Sequence, residues 1–375
     1  MATSVIRPES QHTSASPAPT SPVPSTARLT SLDAYRGFIM LLLVSNGFGL
    51  GVLEHYSGWA WLARQVDHTA WQGCTFWDLI QPAFTFMVGV AMPFSFARRE
   101  AQGASMMSIF RHVLWRSFLL IVLSNLFSNW GSQHLRLQLI NVLSQIAFGY
   151  LLCFLITRLA FRWQVVTGAA MLAGYWLLFV AFPGPDGAWS QKGNIGAMID
   201  LQILGYNYSG DYTTINFIGN TVTILFGCWA GALLRTPGTH CYKLKVLGIC
   251  AVAGLAGGLT LQPFVPMVKR LWTPSFTLFS AGWVIVMLMA FYWIVEVRKL
   301  KAWAFPFIVF GMNSIFAYSI GQIGLKGWLN RGLGAFTFNF KFLGDLGAIP
   351  QQALVMGCIW GVCYRLYKRG IFFKL

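Results

Sequence analysis

A chain of 375 residues that is 56% hydrophobic and only 10% charged falls well below the roughly 25% charged residues of soluble domains, which excludes a water-soluble globule. The net charge of +16 does not indicate nucleic acid, because no basic stripe with interleaved aromatics lies outside the hydrophobic runs. The seven cysteines, Cys74, Cys153, Cys228, Cys241, Cys250, Cys358 and Cys363, show neither CxxC nor metal-ligand spacing, so no metal is expected.

Residues 1–27 are rich in Ser, Pro, Thr and Ala. They lack the apolar content needed to offset ordering entropy and read as a disordered cytoplasmic tail without a signal-peptide layout. From residue 28 to 375 the chain reads as one membrane domain with a mean hydropathy of +0.58 for the whole sequence. Apolar runs near twenty residues recur, the length that crosses a hydrocarbon core of about 30 Å. They predict an all-α polytopic bundle of about ten transmembrane helices, at 35–53, 77–97, 110–128, 138–157, 164–183, 215–234, 244–263, 274–295, 303–322 and 350–367. Pro306 and Gly311 interrupt the run 303–322, which is tolerated where a helix lines a protein-enclosed cavity. With the N-terminus inside, the inner segments hold 19 Lys and Arg and the outer loops 8. That asymmetry favours both termini in the cytoplasm. Two outer loops, 54–76 and 184–214, are longer than a connection needs and suggest a site opening to the outer face.

Candidate residues fall at the ends of these spans. Asp33 and Arg36 lie three apart at the inner end of the first span and share a helix face. They serve as a local ion pair that anchors topology, or they contact a charged cytoplasmic ligand. On the outer side, Asp67-His68-Thr69-Ala70-Trp71-Gln72-Gly73-Cys74-Thr75-Phe76-Trp77-Asp78 precedes the second span. His68 can act there as general base or nucleophile, with Asp67 or Asp78 as the carboxylate that orients its ring. Asp78 also suits a helix N-terminus, and Thr75 could cap that helix. Within spans, Asn46, Asn141, Ser144, Gln145, Asn220, Asn313 and Ser314 either bind helices together or line a cavity. Lys269 and Arg270, before Trp272-Thr273-Pro274-Ser275, can meet an anionic group or sit at headgroup level. No phosphate-binding loop, dinucleotide fingerprint, HExxH or GxSxG is present.

Three stretches together carry a resemblance. Ser31-Leu32-Asp33-Ala34-Tyr35-Arg36-Gly37, His68 through Leu79, and Gly311-Met312-Asn313-Ser314-Ile315, with Phe84 to Pro93 continuing the second, are similar to the heparan-α-glucosaminide N-acetyltransferase family. Their order and separation agree over residues 29 to 370. The resemblance implies a polytopic enzyme that moves an acyl group from cytoplasmic acyl-coenzyme A, here acetyl-CoA or another acyl-CoA, to an amino sugar or glycan across the membrane. It places the active histidine at His68. Asn141-Val142-Leu143-Ser144-Gln145-Ile146 and Lys269 through Ser275 resemble more closely a bacterial branch labelled as N-acetylglucosamine-related transporters. Where the lysosomal enzymes have an arginine after Gly-Val-Leu-Gln, this chain has Gln145. Where they have a histidine after the Gly311–Ile315 motif, it reads Ser319-Ile320-Gly321-Gln322.

The expectation is therefore an acyltransferase with His68, Asp78 and Asp67 as its catalytic group. Asp33, Arg36, Asn46, Trp71, Lys269, Arg270, Asn313 and Ser314 are the candidates for binding substrate or co-substrate, with Asn46 and Asn313 as donors to a developing oxyanion. The lipid bilayer and an amino sugar or glycan are the expected partners, a homodimer is an expected assembly, and a bacterial inner membrane is the expected location. The alternatives are an amino-sugar permease without chemistry and a non-catalytic membrane scaffold. The topology is testable with single cysteines, at His68→Cys and Leu375→Cys, in a background whose native cysteines are replaced by serine. A membrane-impermeant maleimide should label the first from outside and the second only from inside. Labelling of both from one side would overturn the orientation.

Overall fold

The computed structural model describes residues 29–373; the tail assigned to residues 1–27 lies outside them. Among the described residues the regular structure is entirely helical. Helix α1 (Thr30–Ser45) stops where Asn46 turns left-handed, and Gly47, Phe48 and Gly49 keep positive φ in the 3-10 segment that follows. Phe48, at φ 52°, is a bulky side chain in a region that glycine occupies without cost. After the short α2 (Ala60–Gln65) come α3 (Ile80–Ala101) and α4 (Met106–Ser128). The Asn141 side chain caps α5 (Val142–Ile156), which leads to α6 (Phe161–Ala181). Asn194 caps α7 (Ile195–Leu204), inside the second long loop. Then follow α8 (Phe217–Arg235), α9 (His240–Leu261) and α10 (Pro274–Tyr292). The chain finishes with α11 (Lys301–Met312), α12 (Ser314–Gln322), α13 (Leu325–Gly334) and α14 (Ala348–Lys368).

Each of the ten apolar windows coincides with helix. Eight of the helical segments among the described residues are long and apolar enough to cross a membrane, and α11 with α12 makes a ninth if the bent pair is one span. The tenth window is α5. Its 15 residues reach only about 22 Å at 1.5 Å per residue, short of the bilayer core. The interruption expected at Pro306 and Gly311 falls instead at Asn313, where α11 and α12 meet at 64°. Pro306 stays within α11, and Gly311 serves a different purpose.

That purpose is close packing. A Cβ on Gly311 would overlap the Asp33 carbonyl oxygen, and one on Gly37 would overlap that of Phe307, so α1 and α11 touch backbone to backbone. Along α3 and α8, Gly89, Gly227 and Gly231 do the same against the carbonyls of Ile224, Phe86 and Val90. Small residues allow this approach where the hydrophobic effect gives no preference for protein over lipid. The contacts hold α3 in the centre of the bundle, where Phe86, Met87 and Val90 are buried. A leucine at Gly89 should therefore cost about 1–3 kcal/mol or more and lower the melting temperature in detergent. Gly174→Leu on α6, where an added Cβ meets nothing within 4 Å, should leave it nearly unchanged.

Candidate active site

The start of α3 creates a demand for partners. In Thr75-Phe76-Trp77-Asp78, the Asp78 carboxylate reaches back to the Thr75 backbone N–H at 3.2 Å, the reciprocal half of a capping box. Asp78 is 1% exposed. Its Oδ2 also accepts from the Thr69 N–H and the Thr69 hydroxyl, both at 3.2 Å. The single hydroxyl proton of Thr75 has two acceptors in reach, Asp78 Oδ2 at 3.1 Å and the Asp67 carbonyl oxygen at 2.7 Å.

Asp78 Oδ1 receives the other two groups. His68 Nδ1 lies 2.8 Å away and Lys269 Nζ 3.2 Å away, with 3.1 Å between the two nitrogens. Donation from His68 Nδ1 to Asp78 fixes the tautomer in which Nε2 carries the lone pair. The His68 side chain is 46% exposed, so the ring's far edge is open to a reactant while its near edge is held. Burial pushes the Lys269 ammonium below the ordinary lysine value, and the neighbouring Asp78 carboxylate opposes that shift. Burial, reinforced by Asp78, pushes the nearby Cys74 thiol up to about 12. Cys74 therefore stays protonated at neutral pH and supplies no thiolate.

Lys269 is delivered by a turn that folds on itself. The Thr273 hydroxyl donates to the Pro266 carbonyl at 2.8 Å and accepts the Val268 N–H at 3.1 Å. Trp272, left-handed at φ 55°, buries its indole against the Thr223 hydroxyl at 3.1 Å. The Gly73 N–H donates to the Met267 carbonyl at 2.8 Å and ties the turn to the histidine loop. A chain of amides supports it from within: Gln81 bonds Gln145, Gln145 donates to Asn216 at 2.6 Å, and Asn216 donates to the Arg270 carbonyl at 3.1 Å. Arg270 pairs with Asp211 at 3.9 Å and faces the rings of Trp71 and Tyr212. The Trp71 indole donates to the Trp189 carbonyl at 2.9 Å. The two long loops thus meet over this end of the bundle.

The structure brings His68, Asp78 and Lys269 together and seats Trp71 and Arg270 beside them. Asp67 is not the ring's partner: it is exposed, and its carboxylate accepts the His68 backbone N–H at 2.7 Å. The remaining candidates lie elsewhere. Arg36, 3.8 Å from Asp33, and Ser314 sit at the other end of α1, where Arg36 and Ser314 line a cavity of about 400 Å³ with Arg116 and Tyr150. Asn313 holds the chain end there, donating to the Ile371 carbonyl and accepting from the Phe373 N–H, both at 3.2 Å. Asn46 lines a second cavity, of about 430 Å³, near α12, α13 and α14. Asn46 and Asn313 therefore do not converge on one oxyanion, because α1 separates them. His68 lines neither cavity. Arg116, Tyr150 and Lys326 were not singled out in the sequence, since a cation at a span end reads as topology and a tyrosine in a span as core.

No family model matches the chain. It is 23% identical to the heparan-alpha-glucosaminide N-acetyltransferase of Mus musculus over 94% of its own length and 61% of that protein. It is 24% identical to the Homo sapiens protein of the same name over 93% of its own length and 60% of that protein. The chain thus spans about three fifths of the length of these curated relatives. The all-helical bundle and its membrane-length helices make this a polytopic helical membrane protein, and over nearly its whole length it is similar to the heparan-alpha-glucosaminide N-acetyltransferases.

Proposed function

We propose that the protein is a membrane-embedded acyltransferase that moves an acetyl or other acyl group from acyl-coenzyme A to an amino sugar or glycan, with His68 at the reacting centre. The observation that carries this reading is an imidazole bonded through Nδ1 to a buried, multiply hydrogen-bonded carboxylate while its other edge stays exposed. Such a ring takes a proton at Nε2, and the carboxylate stabilises the imidazolium that results. His68 acts either by deprotonating the acceptor amine or hydroxyl as it attacks the thioester carbonyl, or by attacking that carbonyl itself; in each case the thiol is expelled. Asp78 orients the ring. Lys269 keeps Asp78 ionised in a setting where an unpaired carboxylate would be costly.

The cavity beside Arg36 suits the acyl donor. Arg116 Nε and the Tyr150 hydroxyl are buried there without a partner among the described residues. The Arg116 guanidinium lies 4.9 Å from the centre of the Tyr150 ring. Two arginines and an unspent phenol match the phosphate groups of coenzyme A. Along α3 the lining begins at Phe84, six residues or about 9 Å from Asp78, so an extended acyl chain would point toward the histidine end. With the N-terminus inside, this cavity opens to the cytoplasm and His68 faces out. The break between α11 and α12 favours a second reading, an amino-sugar permease, because broken helices mark transporter sites.

Radiolabelled transfer from acetyl-coenzyme A to glucosamine in proteoliposomes separates the two. His68→Ala and His68→Asn should each lower the rate about 10²- to 10⁴-fold with unchanged folding, since the side chain is half exposed. Asp67→Asn should change it less than about threefold. Asp78→Asn should lower both rate and stability, the latter by about 3–5 kcal/mol, because Lys269 is left buried without its counter-charge. Full transfer by well-folded His68→Ala would remove the catalytic assignment. Sugar uptake by a wild-type protein that transfers no acyl group would favour the permease. A separate measurement addresses the donor cavity: Arg116→Gln should raise KM for acetyl-coenzyme A about tenfold while leaving KM for glucosamine within about twofold.

A further inference from the structure

The second cavity is not accounted for by the histidine site or by the donor cavity. It lies where α1 gives way to the left-handed segment, walled by α12, α13 and α14, and measures about 430 Å³, the size range of small-molecule sites. Leu43, Val44, Gly321 and Gly327 supply the wall without polar side chains, and the remainder is polar: Asn46, Tyr318, Gln322, Lys326, Asn330 and Gln352. It shares an end of the bundle with His68, because Gly47, next to Asn46, backs onto Val66, two residues before the histidine.

The polar groups are already sorted into donors and acceptors. Gln351 and Gln352 both donate to Asn330 Oδ1, at 2.9 and 3.2 Å. That oxygen is therefore saturated, and Asn330 offers a ligand only its N–H donors. The same bond orients Gln352, whose Oε1 is buried and has no partner. The Tyr318 hydroxyl donates to Asn141 at 2.9 Å, leaving its oxygen as an acceptor. Two fixed acceptors call for hydroxyl or amine protons. The one cation among the lining residues is Lys326, half-buried on α13, with no acid in the lining. No carboxylate of the described residues pairs with it. A partly desolvated ammonium without a counter-charge is unfavourable and gains most from an anion brought by a ligand. Burial pushes Lys326 below the ordinary lysine value, in keeping with that deficit.

We infer that this cavity is a binding site for an anionic sugar, one that carries a phosphate or carboxylate for Lys326 and hydroxyls for Gln352 and Tyr318. The inference rests on the proposed function in taking the ligand to be the acyl acceptor, and it narrows that acceptor from any amino sugar to one bearing an oxyanion. Lys326 is then a specificity-determining residue.

Binding to the full chain in detergent, measured by titration calorimetry, tests it without chemistry. The probes are glucosamine, glucosamine 6-phosphate and 2-amino-2-deoxyglucuronic acid. At least one anionic sugar should bind about tenfold or more tightly than glucosamine, the scale of one charge-assisted hydrogen bond. Whichever anionic sugar binds more tightly identifies the oxyanion. Lys326→Gln should bring the ratio to within about twofold of unity, and Lys326→Arg should keep it within about threefold of wild type. Equal binding of all three sugars by wild type overturns the inference, as does the absence of measurable binding. A preference that survives Lys326→Gln overturns it as well. A protein that shows the preference yet transfers no acyl group keeps the anionic-sugar site but loses both the reading of that sugar as acceptor and the catalytic reading.

Discussion

A carboxylate withdrawn from water costs several kcal/mol unless opposite charge and hydrogen bonds replace its hydration. Asp78 is such a group at the head of α3, and the geometry around it follows from satisfying it. Thr69 and Thr75 close on one oxygen, His68 and Lys269 on the other. Because Lys269 belongs to the turn before α10, the demand of one side chain joins the histidine loop to a segment far away in sequence. The imidazole is held in one tautomer as a by-product. A site that needs a proton acceptor of fixed orientation gains it from the same bonds that make burial of the carboxylate tolerable.

Backbone contact between helices keeps those bonds in register. The glycines of α3 and α8 set the separation of the two central helices, and the amide chain from Gln81 to the Arg270 carbonyl is spanned at that separation. Gln81 leaves from α3 and Asn216 stands at the head of α8, so a side chain inserted between these helices would strain the bridge that Gln145 makes between them. Packing along α3 and α8 is thereby linked to the turn that carries Lys269. The bend at Asn313 plays a comparable part at the other end, where its amide bonds Ile371 and Phe373 and holds Phe373 against the cavity beside Arg36.

Much of the architecture was legible because a bilayer imposes a coarse rule. Among the described residues, apolar length alone located every helix long enough to span, and also α5, which falls short of its window because Asn141 caps it late. The break in α11–α12 was misplaced because proline and glycine signal interruption in general, while here glycine is needed for contact with α1 and the backbone bends two residues after Gly311, at Asn313. Within the site, His68 and Asp78 were readable from a local motif. The choice between Asp67 and Asp78 was not, since both neighbour the histidine in sequence and only the fold turns one toward the ring. Lys269 was noticed as a cation but not as the partner of Asp78, and Lys326 was counted only as an outer-loop charge. Sequence gives charge and spacing; it does not give burial, and burial is what distinguishes a topological lysine from one that needs an anion.

The span of the Asp78–Lys269 pair has a consequence for biogenesis. The two residues are 191 positions apart. At translation rates of about 5–20 residues per second, Lys269 emerges roughly ten to forty seconds after the carboxylate it neutralises. During that interval α3 enters the membrane with its head group unmatched, so the nascent hairpin must keep Asp78 at the aqueous boundary and settle inward only when the later helices arrive. Assembly of the His68–Asp78–Lys269 cluster thus waits for the turn before α10, and a polypeptide released ahead of it would carry every element of α1 to α9 and still lack the cluster.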